Sequence, residues 1–327
     1  MSNTATVLAF DFGASSGRAI RAVYDGQNLT YEEIHRFENV PIEKEGHLCW
    51  DVETLLKEIH TAIQKAGTFD SLGFDTWGVD FGLLDADGHL LANPVHYRDA
   101  RTNGKPEQAA ARMPAEELYA HTGNQIMAIN TLFQLLALRE QDPELLQKAE
   151  QILFMPDLFA ALLGAEPVCE RSIASTSQML DPRTGQWSRE VLTAYGLKEN
   201  HFAPLVASGT VTGTLTTGAK IIAVAGHDTQ CASAAMPCAE EDAEHTAFLS
   251  CGTWSLLGTE LDTPILTADS CQSGLSNELG ANGKINYLKN IIGLWLIQES
   301  RREYKRRGQA YSFAELEQQA QIGRASC

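Results

Sequence analysis

At 327 residues, 44% of them hydrophobic and 20% charged, the chain is long enough for two cores and has a globular composition. Asp and Glu outnumber Lys and Arg by 42 to 25, which argues against a nucleic-acid partner, since a phosphate backbone calls for a basic face. No apolar run approaches the roughly 18 residues of a membrane span, no basic signal-like region opens the chain, and seven scattered cysteines without C-x-x-C support neither a zinc site nor a disulfide framework, so a cytoplasmic setting without a membrane partner is expected.

Residues 6–11 read as a buried strand that ends in Asp11 and opens into Phe12-Gly13-Ala14-Ser15-Ser16-Gly17-Arg18. Backbone N–H groups and hydroxyls of such a turn can face an anion, and Asp11 offers a carboxylate to a hydrated Mg²⁺. A tight structural hairpin would read much the same. The device differs from the strand-to-helix P-loop, and no G-x-x-x-x-G-K-[ST] occurs. Further strands are expected at 18–25 and about 29–38, joined at Asp25-Gly26-Gln27-Asn28.

Leu55, Leu56, Ile59, Ala62 and Ile63 then predict a helix over 51–66 with Asp51 as its N-cap. Strands at 72–76 and 79–85 follow, with a turn at Ala86-Asp87-Gly88. Three antiparallel strands, a helix and another strand is the opening order of an α/β, ribonuclease-H-like domain of the actin-type ATPases, by fold-level analogy. Residues 107–164 read as mostly helical, with Pro114 and Pro143 at helix starts or breaks and Gly164 ending a stretch from Ile152. After a loop-rich region, a buried strand at 221–225 runs into Gly226-His227-Asp228-Thr229 and a small-residue helix over 230–235.

The acidic residues 240–244 are the expected boundary between domains 1–240 and 241–327. Beyond it the opening pattern recurs: a strand at 246–249, the turn Ser250-Cys251-Gly252-Thr253-Trp254-Ser255, and a returning strand at 256–260. Two strand–turn–strand loops, one near the start of each half, are expected if related domains clamp a nucleotide in a cleft between them. A chance hairpin has no reason to repeat. An apolar helix is expected over 291–298 and another over 312–320.

Phosphoryl transfer asks the protein for positioning, charge neutralisation and a base. Asp228, just past a buried strand, suits the base; it equally suits an N-cap. His227, without a spaced partner, reads as orienting or packed. Trp77-Gly78-Val79-Asp80 supplies an aromatic wall, a backbone gap and a carboxylate suited to a sugar, though core packing explains Trp77 nearly as well. Asn290 is placed to cap the following helix or reach a hydroxyl, and Gln298 to be solvated or touch a nucleotide. Two Asp-Phe-Gly triplets do not make a protein kinase, since no H-R-D loop or V-A-I-K strand accompanies them.

Asp11-Phe12-Gly13-Ala14-Ser15-Ser16-Gly17-Arg18, Asp75-Thr76-Trp77-Gly78-Val79-Asp80-Phe81, Tyr97-Arg98-Asp99-Ala100-Arg101-Thr102, His227-Asp228-Thr229, Ser250-Cys251-Gly252-Thr253-Trp254-Ser255 and Leu288-Lys289-Asn290-Ile291-Ile292-Gly293-Leu294-Trp295 together resemble the FGGY carbohydrate kinases. The resemblance covers residues 6 to about 320. It implies that Ala14, Ser15, Ser16, Gly17 and Arg18 bind ATP phosphates, and that Asp11 helps hold Mg²⁺ through water. It also implies that Gly78, His227, Asp228, Thr229 and Asn290 line a sugar site with Asp228 as proton acceptor, and that Thr253 and Gln298 contact the nucleotide. The Ala-Ser-Ser-Gly-Arg and Asp-Thr-Trp-Gly-Val-Asp wordings point, within the family, to transfer of the ATP γ-phosphoryl to the 1-hydroxyl of L-rhamnulose.

The family's second domain continues further and carries a glycine-rich adenosine-binding motif without a match here, and Gln321-Ile322-Gly323-Arg324-Ala325-Ser326-Cys327 leaves the family pattern. An incomplete second domain, with missing strands and exposed apolar surface, is therefore expected, with weak or absent kinase activity and poor solubility. The alternatives are a kinase for another ketose, such as fuculose or xylulose, and an actin- or chaperone-like nucleotide switch without an acceptor sugar.

Overall fold

The structure is a computed structural model that describes residues 4–239, 242 and 245–324. Strands β1 (Ala5–Phe12), β2 (Ser16–Tyr24) and β3 (Leu29–Glu38) form an antiparallel meander. Leu8, Phe10 and Phe12 alternate along β1 and are fully buried, so one face of the sheet is committed to a core. Helix α1 (Val52–Ala66) begins where the Asp51 carboxylate accepts the Thr54 N–H, and it lays Val52, Leu55, Ile59 and Ala62 against that core. Strand β4 (Ser71–Thr76) returns parallel to β1, bringing Phe74 onto the Phe10 ring at 4.8 Å between centroids.

A second layer is built around β5 (Phe81–Leu84) and helix α2 (Thr131–Gln141). Residues 152–164 were expected to be helical, but β6 (Gln151–Phe154) pairs antiparallel with β5, and helix α3 spans only Met155–Leu162. Pro156 sits in the first turn of α3 and fixes where the helix starts. Strands β7 (Thr210–Thr214) and β8 (Lys220–Ala223) complete a six-stranded sheet in the order β7-β8-β4-β1-β2-β3. The β3-β2-β1-β4-β8 core of that order is the ribonuclease-H-like arrangement expected from the sequence. Helix α4 (Asp228–Ala234) begins two residues earlier than the 230–235 expected, which puts Asp228 inside its first turn; His227 holds the cap position and Asp228 is not the N-cap.

The expected boundary at 240–244 lies, apart from Asp242, outside the described residues. Beyond it, β9 (Phe248–Cys251), β10 (Trp254–Leu261), β11 (Ser276–Leu279) and β12 (Ile285–Ile292) form an antiparallel sheet in the order β9-β10-β12-β11. The expected helix over 291–298 is corrected: Ile291 and Ile292 are strand residues paired with Ser255 and Trp254, and helix α5 runs from Trp295 to Arg306. β-Branched residues fit a pleated surface, and Gly293 marks the break. A Cβ at Gly293 would lie 2.5 Å from Ser255 Oγ, so the chain crosses β10 too closely for any other residue. Helix α6 (Phe313–Arg324) follows.

Strand β11 is buried along its whole length and joins the two sheets. The Asn277 N–H donates to the Gly123 carbonyl (2.8 Å), the Leu279 N–H to Ser175 Oγ (2.9 Å), and Ser276 Oγ accepts from the Gln125 N–H (2.8 Å). Phe248, Leu256 and Leu288 form the second sheet's own small core. Its other face leaves Leu249, Leu257 and Ile291 exposed, next to exposed Leu294, Leu296 and Ile297. Among the described residues no helix is long and apolar enough to cross a membrane.

Candidate active site

A cavity of about 300 Å³ lies between the two sheets. The first loop closes one wall. The turn is tighter than expected: the Gly13 N–H donates to the Ser16 carbonyl (2.9 Å), so β2 already starts at Ser16. Gly13, Ala14, Ser15 and Ser16 line the cavity. Asn39, which sequence reasoning missed, braces them by donating from Nδ2 to the Gly13 carbonyl (2.9 Å) and from its N–H to that of Ser15 (3.1 Å).

Gly17 and Arg18 are strand residues outside the lining. A Cβ on Gly17 would fall 2.3 Å from the Phe37 ring, so its missing side chain makes room for Phe37. Arg18 lies opposite Asp11 and donates from Nε (2.8 Å) and Nη2 (2.6 Å) to Asp11 Oδ2. Oδ1 is left for a metal-bound water, and the carboxylate donor is of the type Mg²⁺ takes. The residues present therefore fit the ion.

On the opposite wall, the turn after β8 is held by Glu170, a buried carboxylate that sequence reasoning also missed. It accepts the N–H groups of Gly226 (3.0 Å), Ser172 (2.9 Å) and Ile173 (3.2 Å), and the Ser208 hydroxyl (2.6 Å). The Thr76 N–H at the end of β4 donates to the Gly226 carbonyl (2.8 Å). This frame aims His227, Asp228 and Thr229 into the cavity. Asp228 Oδ1 accepts from the Thr229 N–H (2.6 Å) and hydroxyl (3.2 Å) and lies 3.4 Å from His227 Nε2.

Burial pushes the Asp228 carboxyl above the usual carboxylate range; His227 and the Thr229 N–H pull it back, and the Asp11 charge adds to the rise. Burial, then Asp11 and Asp228, push Asp75 well above that range too. Burial resists charging of the His227 ring, but Glu278, then Asp228 and Glu170, outweigh it and raise the imidazole. Asp11, Asp75 and Asp228, from β1, β4 and α4, lie close enough that each additional charge is resisted, a repulsion that a divalent cation would relieve.

Trp77, Gly78 and Val79, expected to meet a sugar, line the cavity, and Tyr97, Gln125 and Thr176 line it with them. Val79 holds a φ of 68°, costly for a β-branched residue, and it is pinned there from both sides. Thr176 Oγ1 accepts its N–H (3.1 Å) and Thr131 Oγ1 donates to its carbonyl (2.7 Å). The Asp80 carboxylate, read as a sugar contact, is instead withdrawn: it is fully buried and accepts from Trp50 Nε1 (2.6 Å), Trp77 Nε1 (3.0 Å), the Tyr97 N–H (3.2 Å) and Gln134 Nε2 (2.9 Å). Burial raises it to about 6. Its place is behind the wall, orienting the two indoles.

The second sheet supplies Ser250, Gly252, Thr253, Trp254, Glu278 and Asn290 to the same cavity. Asn290 is a strand residue, not a helix cap, and its Nδ2 lies 3.4 Å from Gln125 Oε1 across the cleft. Gln298, outside the lining, donates from Nε2 to Thr253 Oγ1 (3.2 Å). The Arg98 guanidinium stacks near Tyr97 (5.2 Å), Trp254 (5.3 Å) and Trp295 (4.9 Å), tying the two halves at the rim.

A six-stranded ribonuclease-H-like sheet facing a four-stranded antiparallel sheet across one cleft defines an actin-like ATPase fold: a solved gluconate kinase from Lactobacillus acidophilus superposes with a TM-score of 0.74 at 17% identity, over 91% of this chain and 62% of that one. Models of the N-terminal and C-terminal domains of the FGGY family of carbohydrate kinases match residues 6–234 and 247–325, and the chain belongs to that family. A rhamnulokinase of Bacteroides thetaiotaomicron is 42% identical over 90% of this chain and 63% of its own length. One of Halalkalibacterium halodurans is 40% identical over 94% and 67%. The chain thus spans about two thirds of the length of these curated relatives.

Proposed function

We propose that the chain is an ATP-dependent kinase of L-rhamnulose, built as an N-terminal domain of residues 1–240 with the sugar site and first loop, and a second domain, 241–327, with the second loop. The observation that carries this reading is the placement of Asp228 in one cavity with the Gly13–Ser16 turn, the Gly252-Thr253 turn and the Trp77–Val79 wall. Asp228 accepts the proton of the sugar 1-hydroxyl as that oxygen bonds to the γ-phosphorus, and the β–γ bridging oxygen leaves with its electron pair as ADP. Burial raises its pKa above the usual carboxylate value, toward the operating pH, which strengthens it as a base.

Ala14, Ser15 and Ser16 orient the phosphates from one sheet and Thr253, steadied by Gln298, from the other. Gly78, His227, Thr229 and Asn290 hold the sugar. Gly17 and Arg18 support the loop from behind, with Arg18 setting the Asp11 carboxylate. Mg²⁺, held through water by Asp11, supplies charge neutralisation at the transferring phosphoryl. The test is formation of ADP and a sugar 1-phosphate from ATP across a panel of ketoses, with the product read by ³¹P NMR. Transfer to L-rhamnulose is expected to exceed transfer to xylulose and fuculose; sugar-independent ATP hydrolysis alone would refute the reading.

A further inference from the structure

We propose that Glu278, on the second sheet, is a positioning residue for the base, fixing the His227 ring and through it the Asp228 carboxylate. This rests on the kinase reading above and names a residue that no sequence motif singles out.

Glu278 lies on β11, the strand that docks the second sheet onto the first, and only 4% of it is exposed. Its Oε2 receives two groups from the other domain, His227 Nδ1 at 3.0 Å and Gln230 Nε2 at 2.8 Å. Both donors flank Asp228 in sequence, so the carboxylate grips the turn and first helical turn that carry the base. Gln230 is gripped a second time, since Asn286 of β12 donates to its Oε1.

With Nδ1–H committed to Glu278, the ring can turn only Nε2 toward Asp228, 3.4 Å away. Carboxylates face His227 from three elements: Glu278 on β11, Asp228 on α4 and Glu170 beyond β6 and α3. A carboxylate buried as deeply as Glu278 needs a charged or donating partner, and the His227 ring and the Gln230 amide supply it. The consequence is functional. The His227 ring that faces the base is itself held, and its positive charge favoured, by a residue that arrives only with the second sheet, so assembly of the catalytic constellation and docking of the sheets are one event.

The experiment compares the unmodified chain with Glu278→Gln and Glu278→Asp, by NMR of ¹⁵N-histidine-labelled protein and by kinetics with ATP and L-rhamnulose. In Glu278→Gln the protonation midpoint of His227 is expected to fall by about a unit or more, since the largest stabilising charge is gone. The kcat is expected to fall by about tenfold or more while the ketose KM changes less than about threefold, as for a residue that orients a catalytic group. The acidic limb of kcat should move to higher pH, and Glu278→Asp should restore part of the rate. An unmoved His227 midpoint overturns the proposal, and so does a raised KM at unchanged kcat, which would make Glu278 a sugar contact. If the unmodified chain transfers to no ketose while the His227 midpoint still falls in Glu278→Gln, the kinase reading fails and the positioning role with it, leaving a structural ion pair.

Discussion

His227 Nε2 sits 3.4 Å from Asp228 Oδ1, so the group read as the base carries its own counter-charge from the preceding residue. The pairing has a direction. The imidazole lowers Asp228 while burial raises it, and burial prevails.

Transfer requires Asp228 ionised, so kcat should fall as pH drops through its folded-state pKa. That pKa lies above the ordinary carboxylate value, which places the acidic limb higher than a solvated aspartate would. Replacing the cation, as in His227→Asn, removes a lowering influence and should push the limb higher still. A pH–rate profile checks both, and a limb at ordinary carboxylate pH that the substitution leaves in place would contradict the assignment.

Gly17 tests whether the loop's second half is structural. Gly17→Ala would drive a methyl into the Phe37 ring, itself packed edge-on against Phe12 at 5.3 Å. Overpacking of this kind costs about 1–3 kcal/mol. Urea denaturation should show the loss. Undiminished stability with weakened ATP binding would instead make Gly17 a phosphate contact.

Asp80 should behave as a buried acceptor. Asp80→Ala leaves the N–H groups of Trp50, Trp77, Tyr97 and Gln134 without their acceptor, and a loss of about 3 kcal/mol or more is expected from unsatisfied donors alone. The pH signature is specific. With its folded pKa raised from 3.8 to about 6, the folded state binds more protons than the unfolded one across that window. Its contribution to stability therefore declines as pH rises from 3.8 to about 6 and is flat above. Denaturation midpoints taken through that range should show the decline in the parent and not in Asp80→Ala; a variant of parental stability with a raised sugar KM would return Asp80 to the binding site.

The first domain was legible because its signals are local. Alternating apolar residues set β1 to β3, the Asp51 cap set the start of α1, and the repeated strand–turn–strand pattern located both loops that line the cavity. The run from Ile291 to Ile297 was not legible, because an unbroken apolar stretch satisfies strand and helix periods equally and only pairing with β10 decides it. Asp80 read as a sugar contact because the indoles that cover it come from Trp50 and Trp77, 30 and 3 residues away. Glu170 and Glu278 carried no pattern at all. Each is a single carboxylate whose partners are assembled by tertiary contacts spanning 56 and 51 residues.

The most direct test of the central claim is transfer of labelled γ-phosphate from ATP to L-rhamnulose by the parent chain and by Asp228→Asn, followed as sugar 1-phosphate. The account predicts sugar 1-phosphate from the parent, at the weak rate expected from its sequence, and a loss of roughly 10²–10⁴-fold from that rate in the variant, with nucleotide binding retained. Equal rates in the two chains, or label released only as inorganic phosphate, would contradict it.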